Sequence, residues 1–226
     1  MRIVRLPGIF QPRSDTWLLA AHLRRQPQVT GAVLDVCTGS GVLAIAAARA
    51  SARSVTAVDV SRRSLLITQV NARLNGVRVR TRRGSLLSAV PGEAFDLIVS
   101  NPPYLPAAVD ELPRRGAARH TEAGTDGRAV LDRLIDEAPA RLRPGGVLMV
   151  THSSLNGEAA TLERMRAAGL SPAVLERRRG PLGPLLAARA PALEANGLLQ
   201  PGEREEDLLI LVGAVAAAQA ATVSAS

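Results

Sequence analysis

Short apolar runs alternate with amphipathic stretches along most of the chain. VTGAVLDV (29–36), SVTAVDV (54–60), AFDLIVS (94–100) and GVLMVTHS (146–153) are nearly continuous apolar runs bounded by turn residues, the pattern of buried strands. VRVRTRRG (77–84), AVLERRRG (173–180) and EDLLILVGA (206–214) complete a set of seven. Between them lie segments of helical period. CTGSGVLAIAAARA (37–50) is a glycine turn opening into a helix, and SRRSLLITQVNARLNG (61–76) has Ser61 as cap and Gly76 as stop. GRAVLDRLIDEAPARLRPGG (127–146) predicts a helix stopped by Pro144 and the glycines, and NGEAATLERMRAAGL (156–170) another. A leading helix is expected over 11–26, capped by Ser14 or Asp15. This alternation predicts an α/β fold with a doubly wound, mostly parallel seven-stranded sheet. The last two strands lack a full crossover helix. They predict an antiparallel C-terminal hairpin carrying a helical insertion over 181–205. One domain is expected over 1–214, followed by a disordered tail over 215–226.

Two breaks in the pattern carry candidate chemistry. The first is SNPPYLP (100–106), which ends a buried strand abruptly. Neither proline has an N–H and each fixes its own φ, so a stiff loop must form at the strand's C-terminal end, the edge where open α/β sheets bind ligands. Asn101 offers an amide oxygen, Pro102 a carbonyl on a rigid backbone and Tyr104 a ring. Two acceptors and a stacking face suit a planar –NH2 group. The plainer reading is a strand-ending turn.

The second break is LDVCTGSG (34–41), between a strand and a helix. Gly39 and Gly41 let the backbone approach a ligand at a helix N-terminus, and Asp59 ends the next strand 24 residues after Asp35, where a ribose-binding acid belongs. Ala44 stands where the dinucleotide pattern has its third glycine, and an acid two residues before the turn opposes a pyrophosphate. That favours S-adenosylmethionine over NAD. As plain structure, Asp35 and Asp59 are helix-cap acids and Cys37 a small buried residue.

Composition narrows the field modestly. Aromatic residues are 2% of the chain, so Phe10, Trp17, Phe95 and Tyr104 stand out and stacking platforms for nucleic acid are scarce. The formal charge is +8 and the chain has no lysine, so its basicity reflects a bias toward arginine; it still aids encounter with anionic partners. One cysteine excludes an intrachain disulfide and fits a reducing cytosol. MRIVRLPGIF lacks a signal-peptide core, the apolar run near the C-terminus is too short for a membrane span, and a cytoplasmic protein is expected. His120 and His152 read as solvated or structural, and no Cys/His cluster suggests a metal.

LDVCTGSG, VDV and NPPY together resemble the class I S-adenosylmethionine-dependent methyltransferases that methylate planar amino groups. QPRSDTWLL before the first strand and GRAVLDRLI after the loop are most similar to HemK-type release factor glutamine methyltransferases, in the short branch without an N-terminal helical domain. The resemblance covers roughly 9–213. It implies a Rossmann-like methyltransferase fold and S-adenosylmethionine as cofactor. It implies that Asp35 and the backbone of Cys37, Thr38, Gly39 and Gly41 hold the methionine part, with Thr16 touching it from the first helix. Asp59 would take the ribose hydroxyls, Val60 would also contact the cofactor, Ser85 and Leu86 would flank the adenine, and Asn101 would border both cofactor and substrate. Asn101, Pro102 and Tyr104 would be catalytic. Two positions depart from the family: Cys37 replaces its first glycine and Ser85 replaces the acid that usually holds the adenine amino group. The implied reaction is N5-methylation of the GGQ glutamine of a peptide-chain release factor, in some short-branch members with a small zinc-binding activator. The alternatives are exocyclic-N methylation of adenine in RNA or DNA, a small-molecule acceptor, and a retired cofactor-binding subunit.

Overall fold

The structure is a computed structural model that describes residues 1–217 apart from 5, 7, 114, 115 and 117. Seven strands form one sheet in the order β3-β2-β1-β4-β5-β7-β6. They are β1 (Ala32–Val36), β2 (Ser54–Asp59), β3 (Arg80–Arg83), β4 (Phe95–Ser100), β5 (Leu142–Ser153), β6 (Ser171–Pro181) and β7 (Glu205–Ala214). The first five pair in parallel, and β7 runs antiparallel between β5 and β6.

The helices are α1 (Ser14–Leu23), α2 (Val42–Arg49), α3 (Arg62–Leu74), α4 (Ala129–Glu137), α5 (Glu158–Ala167), α6 (Pro184–Ala187) and α7 (Ala190–Ala195). All five residues of β1 are buried because helices cover both of its faces. On one face Val33, Val55 and Leu97 pack under Leu19 and Leu23 of α1 and Ala44 and Ala47 of α2. On the other, Leu34, Ile98 and Leu148 meet Leu131 and Leu134 of α4 and Met165 of α5. This is the apolar-throughout signature of a central parallel strand. The two edges differ. β3 is short and β6 largely exposed, and their arginines pair with acids: Arg80 with Glu93, Arg177 with Asp207 (3.2 Å) and Arg179 with Glu205 (2.8 Å). Charged edges of this kind discourage further strand pairing. The insertion α6–α7 buries a small core of its own, Leu182, Leu186, Ala190, Leu193 and Leu199, against Leu105 and Leu155.

Three boundaries differ from expectation. The leading helix covers Ser14–Leu23 rather than 11–26, its N-cap is Arg13, and Asp15 lies inside the first turn. The segment expected to be helical up to Pro144 ends as an α-helix at Glu137. Pro139 cannot donate to the helix ladder, so the chain passes through a tight turn over Ala138–Arg141 and enters β5 at Leu142. Pro144 instead occupies an irregularity in the β4–β5 pairing, between the partners Leu142 and Val147. In the stretch expected to be a tail, Val215 N–H still donates to the Gly146 carbonyl (2.9 Å); residues 218–226 lie outside those described.

Candidate active site

Parallel register brings three loops to one edge. Asp35 pairs with Ala57 on one side and Val99 on the other, so the chain leaves β1, β2 and β4 at the same level. A cavity of about 550 Å³ opens there, lined by Phe10, Cys37, Gly39, Asp59, Ser85 and Asn101 among others. That volume lies within the usual range for small-molecule and cofactor sites.

The glycine turn after β1 is held mostly through its backbone. Asp35 is fully buried; its Oδ2 accepts from Thr38 Oγ1 (2.6 Å) and from Ala44 N–H (2.9 Å), while its Oδ1 meets no donor among the described residues. Burial raises this carboxyl to about 7, with the Asp59 charge adding to the effect. Asp59 Oδ2 accepts from Gly39 N–H (3.0 Å) and its Oδ1 from Ser61 N–H (2.8 Å). From α3, Thr68 Oγ1 donates to the Gly39 carbonyl (3.2 Å) and Asn71 Nδ2 to the Ser40 carbonyl (2.9 Å). Gly41 has φ +84°, and a Cβ there would sit 2.8 Å from Thr68 Cγ2, so both conformation and space require glycine. Cys37, where the family has its first glycine, adopts φ +59°. Burial, with the Asp59 and Asp35 charges adding to it, pushes its thiol well above the usual range.

The proline loop after β4 is held from a distance. Asn101 Nδ2 donates to Asp15 Oδ2 (3.0 Å) and to Thr16 Oγ1 (3.0 Å), both on α1. Its Oδ1 is buried and meets no donor among the described residues. Tyr104 OH donates to the same Asp15 Oδ2 (3.0 Å). Burial, then the Asp15 charge, raises the phenol well above its ordinary value. The Tyr104 carbonyl accepts from Asn156 Nδ2 (2.7 Å), and a Cβ on Gly127 would overlap both groups. Asn156 also donates to the Asp126 carbonyl (2.9 Å). The adjoining Arg128 is buried, donates to Thr161 Oγ1 (2.9 Å) and pairs with Asp132 (2.6 Å).

The structure thus places Cys37, Gly39, Asp59, Val60, Ser85, Leu86 and Asn101 around the large cavity. Asn101, Pro102 and Tyr104 line a smaller hollow beside it, with Phe10, Asp15 and His120. Thr38 faces inward onto Asp35, Gly41 faces α3, and Thr16 reaches the cavity only through Asn101. Ser85 is exposed at the rim. His120 lines the cavity and bonds to the Gly8 carbonyl (3.1 Å). His152 is buried in β5, donates from Nδ1 to its neighbour's Ser153 carbonyl (2.8 Å), and is held down to about 4 by burial. Sequence reasoning missed three residues. Asp15 looked like a cap because it precedes an apolar helix face. Asn156 and Arg128 were not singled out because their near bonds, to Ser153 and to Asp132, are ordinary helix-end and i,i+4 contacts, while the bonds that tie them to the site reach Tyr104 and Thr161, 52 and 33 residues away. Among the described residues no group of three or more His, Cys, Asp and Glu side chains is placed to hold a metal, and no helix is long and apolar enough to cross a membrane.

A glycine turn, a strand-end acid and a stiff polar loop, all at the C-terminal edge of a doubly wound sheet, define a nucleoside-cofactor protein of the class I methyltransferase type. The family model described as methyltransferase small domain matches residues 1–113. A relative from Methanocaldococcus jannaschii, with the provisional name protein N5-glutamine methyltransferase, is 33% identical over 81% of this chain and 92% of its own length. The release factor glutamine methyltransferase of Bordetella pertussis is 39% identical over 73% of this chain, which spans 63% of that protein. In fold, the chain is similar to the Mtq2–Trm112 complex of E. cuniculi, described as responsible for methylation of the eRF1 termination factor, with TM-score 0.64, 23% identity, and coverage of 92% of this chain and 99% of that one. The chain belongs to the methyltransferase small domain family, as a HemK-type class I methyltransferase.

Proposed function

We propose that the chain, acting as one domain over 1–214, transfers the methyl group of S-adenosylmethionine to the side-chain nitrogen of a protein glutamine. The observation that carries this reading is the Asn101 amide. Both of its hydrogens are taken by α1, and its oxygen, buried beside the cavity that Asn101 lines, meets no donor among the described residues. Such an oxygen accepts one hydrogen of an incoming –NH2 group; a buried acceptor left unmatched costs about 1–3 kcal/mol, so a matching donor is favoured.

The cofactor fits the large cavity by the chemistry of its walls. Asp59 at the β2 terminus suits the ribose hydroxyls, and Val60, Ser85 and Leu86 suit the adenine end, with the Ser85 hydroxyl as acceptor. Asp35 is not itself in the wall: it lies fully buried behind the Cys37–Gly41 turn, where its Oδ1 meets no donor among the described residues and its charge suits the cationic amino-acid end. When bound, S-adenosylmethionine supplies an already activated methyl group. The protein's own task is placement. The Asn101 oxygen and the Pro102 carbonyl hold the amide hydrogens, Tyr104 packs beside the amide plane, and the nitrogen lone pair turns toward the methyl. Positive charge growing on nitrogen is stabilised by those acceptors, so no strong base is needed at the outset. A protein segment reaches this point through a second hollow that shares Arg13, Asp15, Tyr104, Leu105 and Leu185 with the first and runs toward β6 and α6.

The inferred acceptor protein is a peptide-chain release factor. The test is transfer of labelled methyl to a release factor from the same source, beside total RNA and DNA, with and without a small zinc-binding activator subunit. Label mapped to the GGQ glutamine is the expected result. Label on adenine overturns the reading in favour of a nucleic acid, and bound cofactor without label on any of these overturns it as well.

A further inference from the structure

Asp15 sits where one carboxylate touches two residues of the proline loop. It lies in the first turn of α1, is 6% exposed, and takes no part in lining the large cavity. Its Oδ2 accepts from Asn101 Nδ2 (3.0 Å) and Tyr104 OH (3.0 Å). Its Oδ1 accepts from Thr16 N–H (2.6 Å) and Thr16 Oγ1 (3.2 Å). Arg13 and Glu206 border the same side of the site.

An asparagine amide can sit in two orientations that exchange its oxygen and nitrogen. Only one of them is compatible with an ionised carboxylate, which accepts and never donates. With Nδ2 toward Asp15, both amide hydrogens are satisfied. Rotated by half a turn, Asn101 would press its oxygen against Asp15 Oδ2 and offer the site a donor where an acceptor is needed. We propose that Asp15 is a positioning residue that locks the Asn101 amide with its oxygen toward the acceptor group and, through the same carboxylate oxygen, fixes the Tyr104 ring beside it. The choice of carboxylate is the point. An asparagine at position 15 has nearly the same shape but tolerates either orientation of its partner. The inference rests on the glutamine reading for its catalytic consequence, but the locking itself has a readout that needs no acceptor.

That readout exists because the chain has a single tyrosine, so phenolate absorbance reports Tyr104 alone. In Asp15→Asn the phenol no longer faces a buried negative charge, and its titration moves to lower pH. With the release factor as acceptor, kcat falls about 10–10²-fold, the scale of a misplaced reacting geometry. S-adenosylmethionine affinity stays within about twofold by calorimetry, because Asp15 lies outside that cavity. Asp15→Glu, which keeps the carboxylate, retains more activity than Asp15→Ala. A purely structural role would instead lower thermal stability, cofactor affinity and kcat together, and that result overturns the proposal. So does an Asp15→Asn variant with parental kcat, or an unmoved tyrosine titration. If the parent protein methylates no glutamine at all while Asp15→Asn still shifts the tyrosine, the hold of Asp15 on Tyr104 stands and the glutamine reading, with the catalytic part of the proposal, is what fails.

Discussion

The glycine turn after β1 and the proline loop after β4 face each other across one cavity, yet they are built in opposite ways. The turn is held from shorter range: Asp35 bonds within nine residues, Asp59 within twenty, Thr68 and Asn71 of α3 reach its carbonyls from 29 and 31 residues on, and its dihedral angles demand glycine at Gly41. The proline loop takes its stiffness from its prolines but its side-chain orientation from α1, 85 to 89 residues earlier in the chain, and from Asn156, 52 residues later. The turn needs only to offer backbone and carboxylates to a cofactor. The loop must present one oxygen at one angle to a reacting nitrogen, and that precision comes from the rest of the fold.

If this division of labour holds, the two sides fail differently when cut. Asn101→Ala is expected to lose about 10²–10³ in turnover, with cofactor affinity changed less, in the labelled-transfer assay. A matching loss of affinity would merge the two sides and break the comparison. Asp59→Ala should do the reverse. It removes an acceptor for Gly39 and for the ribose, so the cofactor Kd rises about 10–10²-fold by calorimetry while kcat at saturating cofactor changes little.

Proton linkage sharpens the picture of the turn. The Asp35 carboxyl is raised from 3.8 to about 7, so the folded, cofactor-free protein holds a proton that the unfolded chain releases. The stability this group contributes is full below about pH 4 and is lost as pH climbs through about 7. A cationic head group against Oδ1 favours the ionised form. Cofactor affinity is therefore expected to rise with pH toward about 7, by at most roughly tenfold per pH unit, with proton release on binding; Asp35→Asn flattens the profile. The smallest effect belongs to Cys37→Gly. Relief of the left-handed conformation gains about 1–2 kcal/mol, and lost packing with added chain entropy offsets most of it. Thermal unfolding should move by less than about 1 kcal/mol equivalent. A larger loss would show that the side chain matters more to the turn than its backbone does.

The strands, the glycine turn, the strand-end acid and the break at Asn101–Pro103 were all legible in the sequence. Each depends on a property of a few adjacent residues: apolar runs that must be buried, a backbone that needs left-handed freedom, or prolines without an N–H. Even the departures at Cys37 and Ser85 could be named before their geometry was known. Where a boundary falls elsewhere than the pattern predicts, a local competitor decides it: Pro139 ends α4 ahead of the more conspicuous Pro144. What only the tertiary structure decided is where side chains point. Asp15 became the anchor of the proline loop instead of a cap, and Asn101 showed which end of its amide meets no donor among the described residues. The physical reason is that a polar side chain's orientation follows from donors and acceptors counted around it in space, and those partners come from α1, β4 and the segment after β5, which sequence order keeps far apart.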